Sequence, residues 1–251
     1  MNQILEKKFA SLAKAKYRKE HGLFLVEGVH CVEELLKSDW HILRLLISEV
    51  KKYDHFKNLA KKDTNIEMIR PKNLANIATT VTPQSVVAIV QIFQPKSLSP
   101  NQHSRILIAD NIKDPGNMGT IIRTAAAFGF SLVITTKENV DIYNPKVVRS
   151  TQGAMFHVEL TVNMEIDSII AQLKETHTLY ALSSKGNTEI NDIHADKNSA
   201  LIIGSEIKGI SEPFTKASDH LLRIPITDKV ESLNAATAAA IAMHKLSDCA
   251  R

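Results

Sequence analysis

The chain has 251 residues, 44% of them hydrophobic and 23% charged, which is ordinary globular usage and excludes a disordered, collagenous or disulfide-scaffold protein. No run approaches the roughly 20 apolar residues of a membrane helix, and the charged start MNQILEKKFASLAKAKYRKE is unlike a secretory signal. Cys31 and Cys249 have neither disulfide-framework nor metal spacing, so the expectation is a reducing cytoplasm with no metal and no membrane partner. The net charge of +4 is unevenly spread: residues 1–104 carry 16 Lys+Arg against 10 Asp+Glu, and residues 105–251 carry 15 against 17.

Leu5, Phe9, Leu12, Ala13 and Tyr17 recur at helical spacing and predict one amphipathic helix at the start. Its polar positions hold Lys14, Lys16, Arg18 and Lys19, a cluster expected to meet a polyanion backbone. There follow a strand at 23–26, a helix at 29–37, a strand at 42–47, a helix at 55–62, a strand at 66–69, a short helix opened by Pro71 and a strand at 85–92. Residues 94–104, with two prolines, three serines and no periodicity, read as a linker. The expected division is therefore residues 1–93, a linker at 94–104, and residues 105–251.

The second part alternates again. Strands are expected at 105–109, 132–135, near 154–158, and at 179–182, 201–203 and 221–224. Helices are expected at 118–128, after Asn144-Pro145, at 211–217 and at 232–246. Such alternation implies a mostly parallel sheet covered by helices.

Three segments stand out from this frame. The first runs strand, loop, helix from Ile108 to Gly129 and holds Gly116, Asn117, Gly119 and Arg123, with Asn117 expected to cap the helix. Asp110 and Asp114 read as loop caps. The second, Leu201 to Ile210, ends an apolar strand in Gly204, Glu206 and Gly209. It matches neither the dinucleotide fingerprint nor the phosphate-cradling P-loop, which disfavours a nucleotide-dependent oxidoreductase. The third ends a strand at Ile224-Pro225, then leads through Ser232, Leu233 and Asn234 into an alanine-rich helix. Taken singly, each has a plain alternative: a strand-to-helix turn, a structural turn and a good helix former.

In this order the three segments resemble the SpoU/TrmH family of RNA ribose methyltransferases, within the SPOUT superfamily. The first resembles N-x-G-x-x-x-R-T-A-x-A-F-G, the second is Ile203-Gly-Ser-Glu-Ile-Lys-Gly209, and the third pairs Ile224-Pro225 with Ser232-Leu-Asn234. Where the family commonly has Val-Ser after the asparagine, this chain has Ala235-Ala236. The resemblance implies an α/β fold with a C-terminal knotted (trefoil) parallel-sheet methyltransferase domain. It also implies a small N-terminal α/β RNA-binding domain that resembles a ribosomal-protein fold. S-adenosylmethionine is the implied methyl donor, held by Ile203, Gly204, Gly209, Ile224 and Leu233. Arg123, Asn117, Glu206, Ser232 and Asn234 are the implied catalytic group, with Arg123 also touching RNA, and the working unit is a homodimer. The implied reaction methylates a ribose 2′-hydroxyl, with large-subunit ribosomal RNA the expected substrate. The alternatives are a transfer-RNA 2′-O-methyltransferase and an inactive RNA-binding or ribosome-assembly factor on the same scaffold.

Overall fold

The computed structural model describes residues 3–92, 99–205 and 207–248. Residues 94–98 of the expected linker, Glu206 and Cys249 lie outside the described residues. The chain divides into two compact units, one of residues 1–94 with 141–156, the other of residues 95–140 with 157–251.

The first unit opens with two helices, α1 (Gln3–Ser11) and α2 (Ala15–His21), where the periodicity predicts one. The break at 12–14 closes with tight bonds from Leu12 N to Phe9 O and from Lys14 N to Ser11 O. Arg18 then reaches back, its Nη1 donating to the carbonyls of Leu12 at 2.8 Å and Ala13 at 2.9 Å. Those are the carbonyls a helix end leaves without partners. The remaining elements are β1 (Leu23–Glu27), α3 (Val29–Leu36), β2 (Ile42–Ile47), α4 (Val50–Leu59), β3 (Ile66–Met68), α5 (Pro71–Ile77) and β4 (Val86–Gln91). They form a four-stranded sheet in the order β1-β4-β2-β3, antiparallel except for β2 beside β3.

Every residue of β1 is buried, so this strand is covered on both faces. Leu23 and Leu25 join Phe9, Leu12, Leu74 and Ile77. Phe24, pointing the other way as strand alternation requires, meets Trp40 and Tyr143 with ring centroids 5.8 and 4.9 Å apart. Tyr143 arrives with the segment 141–156, which supplies the cover that the first 94 residues lack. Two buried charges fix this segment. Arg18 pairs with Asp141 at 2.5 Å. Glu27 accepts from the amides and hydroxyls of Thr79 and Thr80 and faces Arg149 at 3.7 Å. Asn144 caps α7 (Pro145–Ser150) by accepting from Lys146 N, as its sequence predicts.

The second unit holds β5 (Arg105–Ala109), α6 (Pro115–Ala127), β6 (Leu132–Thr136), β7 (Glu159–Met164), α8 (Ile166–Leu173), β8 (Thr178–Leu182), β9 (Thr188–Glu189), β10 (Ser199–Ile203), α9 (Glu212–Ala217), β11 (His220–Arg223) and α10 (Ala235–Asp248). Its seven strands are all parallel, in the order β7-β6-β5-β10-β8-β11-β9. The strand expected near 154–158 is instead a 3-10 turn at Ala154–His157, and the strand begins at Glu159. Gly153, at φ +85, turns the chain just before this stretch, and the stretch bonds to the turn itself, Ala154 N to Thr151 O at 3.0 Å and Phe156 N to Gly153 O at 3.1 Å. Ile169, Leu173 and Phe214 from α8 and α9 pack on Ile106, Ile108, Ile134 and Ile202. The helices α6 and α10 pack on each other, and α10 packs on β8 and β10.

Candidate functional site

Because all seven strands are parallel, their carboxyl ends share one edge. Strand order reverses beside β5, and in open α/β sheets ligands bind outside the carboxyl ends at such a reversal. Each of the three sequence segments leaves a strand at this edge: the first after Ala109, the second after Ile203, the third after Arg223. The register sets Ile203 opposite Ala109 on one side and Leu182 on the other, and Leu222 opposite Leu182.

The first segment turns into α6 at Asp114, whose Oδ1 accepts from Asn117 N at 2.8 Å. The cap is therefore Asp114, not Asn117, because Pro115 fills the first helical position and draws the helix start three residues earlier. Asn117 is thus inside the first turn, with its side chain released for another partner. That partner is Asn234, whose Nδ2 donates to Asn117 Oδ1 at 2.9 Å. The Oδ1 of Asn234 also caps α10, accepting from Ala236 N at 3.0 Å and Thr237 N at 3.3 Å. Residues 117 positions apart in sequence thereby join two helix starts. Arg123, two turns into α6, is exposed, as is Ser232.

The second segment folds on itself. Ser205 and Gly209 form an isolated bridge, with Gly209 N donating to Ser205 O at 2.9 Å and Gly209 at φ +67. A Cβ on Gly204 would lie 2.3 Å from the Gly209 carbonyl, so only glycine fits there. The same reason holds at Gly186, where a Cβ would lie 2.6 Å from the Leu221 and Leu222 backbone. In the third segment Ile224 and Leu233 are half-buried, and Ala235, Ala236, Ala239 and Ala242 are buried along α10. Glu206 lies outside the described residues.

Of the basic cluster at the start of the chain, Lys14, Lys16 and Lys19 are exposed. Arg18 is only 2% exposed and is committed to Asp141, Leu12 and Ala13. It is a structural cation, a correction to its expected place among polyanion contacts. The sequence reading also missed Asn139, a loop asparagine whose side chain holds the first segment. It accepts from Ile112 N at 2.8 Å and donates to Ala109 O at 2.8 Å. No periodic or spacing signal marks such a residue. Among the described residues no group of three or more His, Cys, Asp or Glu is placed to hold a metal ion, and no helix is long and apolar enough to cross a membrane.

Comparison with known proteins bears on both units. The SpoU rRNA Methylase family profile matches residues 104–244, and an MRM3-like substrate binding domain profile matches residues 3–88. A Bacillus subtilis relative named 23S rRNA (guanosine(2553)-2'-O)-methyltransferase RlmP is 31% identical over 243 residues, covering 96% of this chain and 94% of its own. An uncharacterized tRNA/rRNA methyltransferase of Synechocystis is 32% identical, covering 96% of this chain and 89% of its own. Among solved structures, a putative RNA methyltransferase of the TrmH family from Porphyromonas gingivalis superposes with a TM-score of 0.87 at 27% identity, covering 98% of both chains. An AdoMet-bound rRNA methyltransferase from Sinorhizobium meliloti gives 0.86 at 26% identity, covering 99% of this chain and 96% of that one.

Proposed function

The chain belongs to the SpoU rRNA methylase family, and we propose that it transfers a methyl group from S-adenosylmethionine to a ribose 2′-hydroxyl of ribosomal RNA. One observation carries this reading: the Asn117–Asn234 bond, which brings the first and third motifs to a single point on the carboxyl edge of the sheet. The 23S rRNA named for the Bacillus subtilis relative supports large-subunit RNA as the substrate, and a cytoplasmic location is part of the same proposal. The homodimer stays part of the proposal, as does the trefoil knot. Backbone closing on backbone at Gly186 and Gly204, together with α10 lying on α6, β8 and β10, supports the knotted reading.

The edge suits the donor. Gly204 leaves bare backbone at the end of β10, Ile224 and Leu233 are half-buried apolar groups, and α10 begins in alanines. Ile203, Gly204, Gly209, Ile224 and Leu233 would hold it. Bound there, S-adenosylmethionine supplies a methyl group activated by its positive sulfur. The chain's own work is then alignment and proton handling. Alignment alone contributes roughly 7–11 kcal/mol to lowering a barrier of this kind.

Arg123 is exposed two turns into α6, the helix whose first turn holds Asn117. An arginine stays protonated in proteins, so it is a poor literal base. Its fork instead holds the adjoining phosphate and stabilises the alkoxide that develops on the ribose oxygen, while the proton leaves to phosphate or water. Asn117 and Asn234 fix the helix starts that carry this group, and Ser232 lies two residues before the α10 cap. The first unit carries the RNA: Lys14, Lys16 and Lys19 are exposed on it, and its profile match is to a substrate-binding domain.

The test is to map 2′-O-methylation in RNA from cells with and without the gene, and to reproduce the site with purified chain. Loss of one ribose methyl from large-subunit RNA is expected. A methyl found on a base, or no transfer by a chain that binds the donor, overturns the reading. Arg123→Lys keeps the charge but removes the fork, and is expected to lose about 10²–10³ in turnover with donor affinity unchanged. Wild-type turnover by that variant overturns the role given to Arg123.

A further inference from the structure

One buried carboxylate at the carboxyl edge is not used by the proposed chemistry. Asp110, the residue after β5, is 1% exposed. Its Oδ2 accepts from Ser211 N at 2.7 Å and its Oδ1 accepts from Thr136 Oγ1 at 3.2 Å, while its own amide donates to Ile203 O at 2.8 Å. Thr136, at the end of β6, also accepts from Asn139 Nδ2 at 2.9 Å. The Oδ1 of Asn139 accepts from Ile112 N at 2.8 Å. The bonds form one connected chain. It runs from Ile112, in the first motif's loop, through Asn139, Thr136 and Asp110 to Ser211, which follows the second motif and stands at the start of α9.

A buried carboxylate is costly unless its oxygens are satisfied, and here both oxygens are bonded to groups flanking the two glycine-containing loops. We propose that Asp110 is a positioning residue for the methyl donor, fixing where the second motif's loop ends relative to the first motif. It acts through the Ser211 amide and Thr136, not by touching the donor. This inference rests on the reading of the carboxyl edge as the donor site.

The geometry separates a positioning role from a charge effect. In Asp110→Asn the side-chain carbonyl still accepts from Ser211 N, and its amide donates to the Thr136 hydroxyl, which can accept. In Asp110→Ala the Ser211 amide and the Thr136 hydroxyl proton both lose this acceptor, while Thr136 still accepts from Asn139. The probe is S-adenosylhomocysteine, titrated calorimetrically into the full chain, with hydrogen exchange at the Ser211 amide followed in parallel. Asp110→Ala is expected to weaken probe binding about 5- to 100-fold, the range for one buried donor left unpaired. It is also expected to accelerate exchange at Ser211 and to raise KM for the donor far more than it lowers kcat. Asp110→Asn is expected to restore both binding and exchange protection. Thr136→Val, which keeps the shape and removes only the hydroxyl, is expected to shift binding in the same direction by about threefold, and serves if Asp110→Ala does not fold.

Binding by Asp110→Ala or Thr136→Val at the wild-type level overturns the positioning role alone. So does an Asp110→Asn variant as weak as the alanine one, because charge and not geometry would then be the cause. A wild-type chain that fails to bind the probe overturns the donor-site reading, and this inference with it.

Discussion

The two units treat buried charge in opposite ways. In the first, Arg18 and Glu27 lie at 2% and 5% exposure and bind chain segments to one another: α2 to Asp141, and β1 to Thr79, Thr80 and Arg149. In the second, the sheet interior is aliphatic, and the buried carboxylate, Asp110, sits where the strands end. The difference teaches that a charge's location in sequence says little about its task. Arg18 sits among lysines yet works as a core residue, while Lys14, Lys16 and Lys19 remain in water. Polar groups gather at the carboxyl edge of the second unit because strands can end there without breaking the apolar layer.

The sharpest way to break this comparison is at Gly204. If the carboxyl edge is a shaped site, Gly204→Ala drives a methyl group into the Gly209 backbone. A loss of about 3 kcal/mol in stability is expected, together with loss of S-adenosylhomocysteine binding. Unchanged thermal unfolding and binding would show that the loop is not held as described.

The next contrast lies inside the first unit. Arg18→Met strands Asp141 and removes the bonds to Leu12 and Ala13. A loss of about 2 kcal/mol is expected, below the full value for a buried pair because Asp141 is one-third exposed. Changing Lys14, Lys16 and Lys19 together to Gln is expected to shift stability by less than about 0.5 kcal/mol. It would weaken RNA binding and flatten its salt dependence by about two counterions. Chemical denaturation and RNA titrations at several salt concentrations check both. The contrast fails if Arg18→Met weakens RNA binding with stability intact.

Much of the second unit was legible because its strands are unbroken apolar runs and its glycines cluster. Residues 105–109 match β5 residue for residue, and the third motif falls at the start of α10 as expected. The helix α8 was missed although Ile166, Ile169, Ile170 and Leu173 carry a helical pattern, because it follows β7, whose start was placed too early. The cap of α6 was misplaced by three residues, since Pro115 outweighs the better-known preference of asparagine. The role of Arg18 was hidden for a different reason: its partner is 123 residues away. No local rule links them, and the same holds for Asn117 with Asn234 and for Asp110 with Ser211.

Asn234 offers a smaller test, because it does two jobs with two ends of one amide. Asn234→Ala removes the cap and the bridge and is expected to cost about 1 kcal/mol. Asn234→Asp keeps an acceptor for Ala236 N and Thr237 N but cannot donate to Asn117 Oδ1. It is therefore expected to recover the stability and not the turnover. Recovery of both would make the bridge dispensable and leave Asn234 as a cap only.

The smallest expected effect comes from the opposite edge of the sheet. Asp219 precedes β11 and accepts from Leu179 N at 2.9 Å and from Lys174 Nζ at 2.6 Å. Burial pushes its carboxyl up, but the Leu179 amide and the Lys174 ammonium outweigh that and hold it below the usual carboxylate value of 3.8. A carboxyl depressed on folding contributes stability above its unfolded value, and that contribution is lost as pH falls through the folded one. Asp219→Asn keeps the acceptor for Leu179 but not the charge. Wild type is therefore expected to exceed the variant by about 0.5 kcal/mol, steadily between about pH 5 and 8, with the margin shrinking below about pH 4. A margin that widens in acid would reverse the sign of the argument. Donor binding should not move, because Asp219 stands at the amino end of β11, away from Ile224, which follows its carboxyl end and belongs to the proposed donor site.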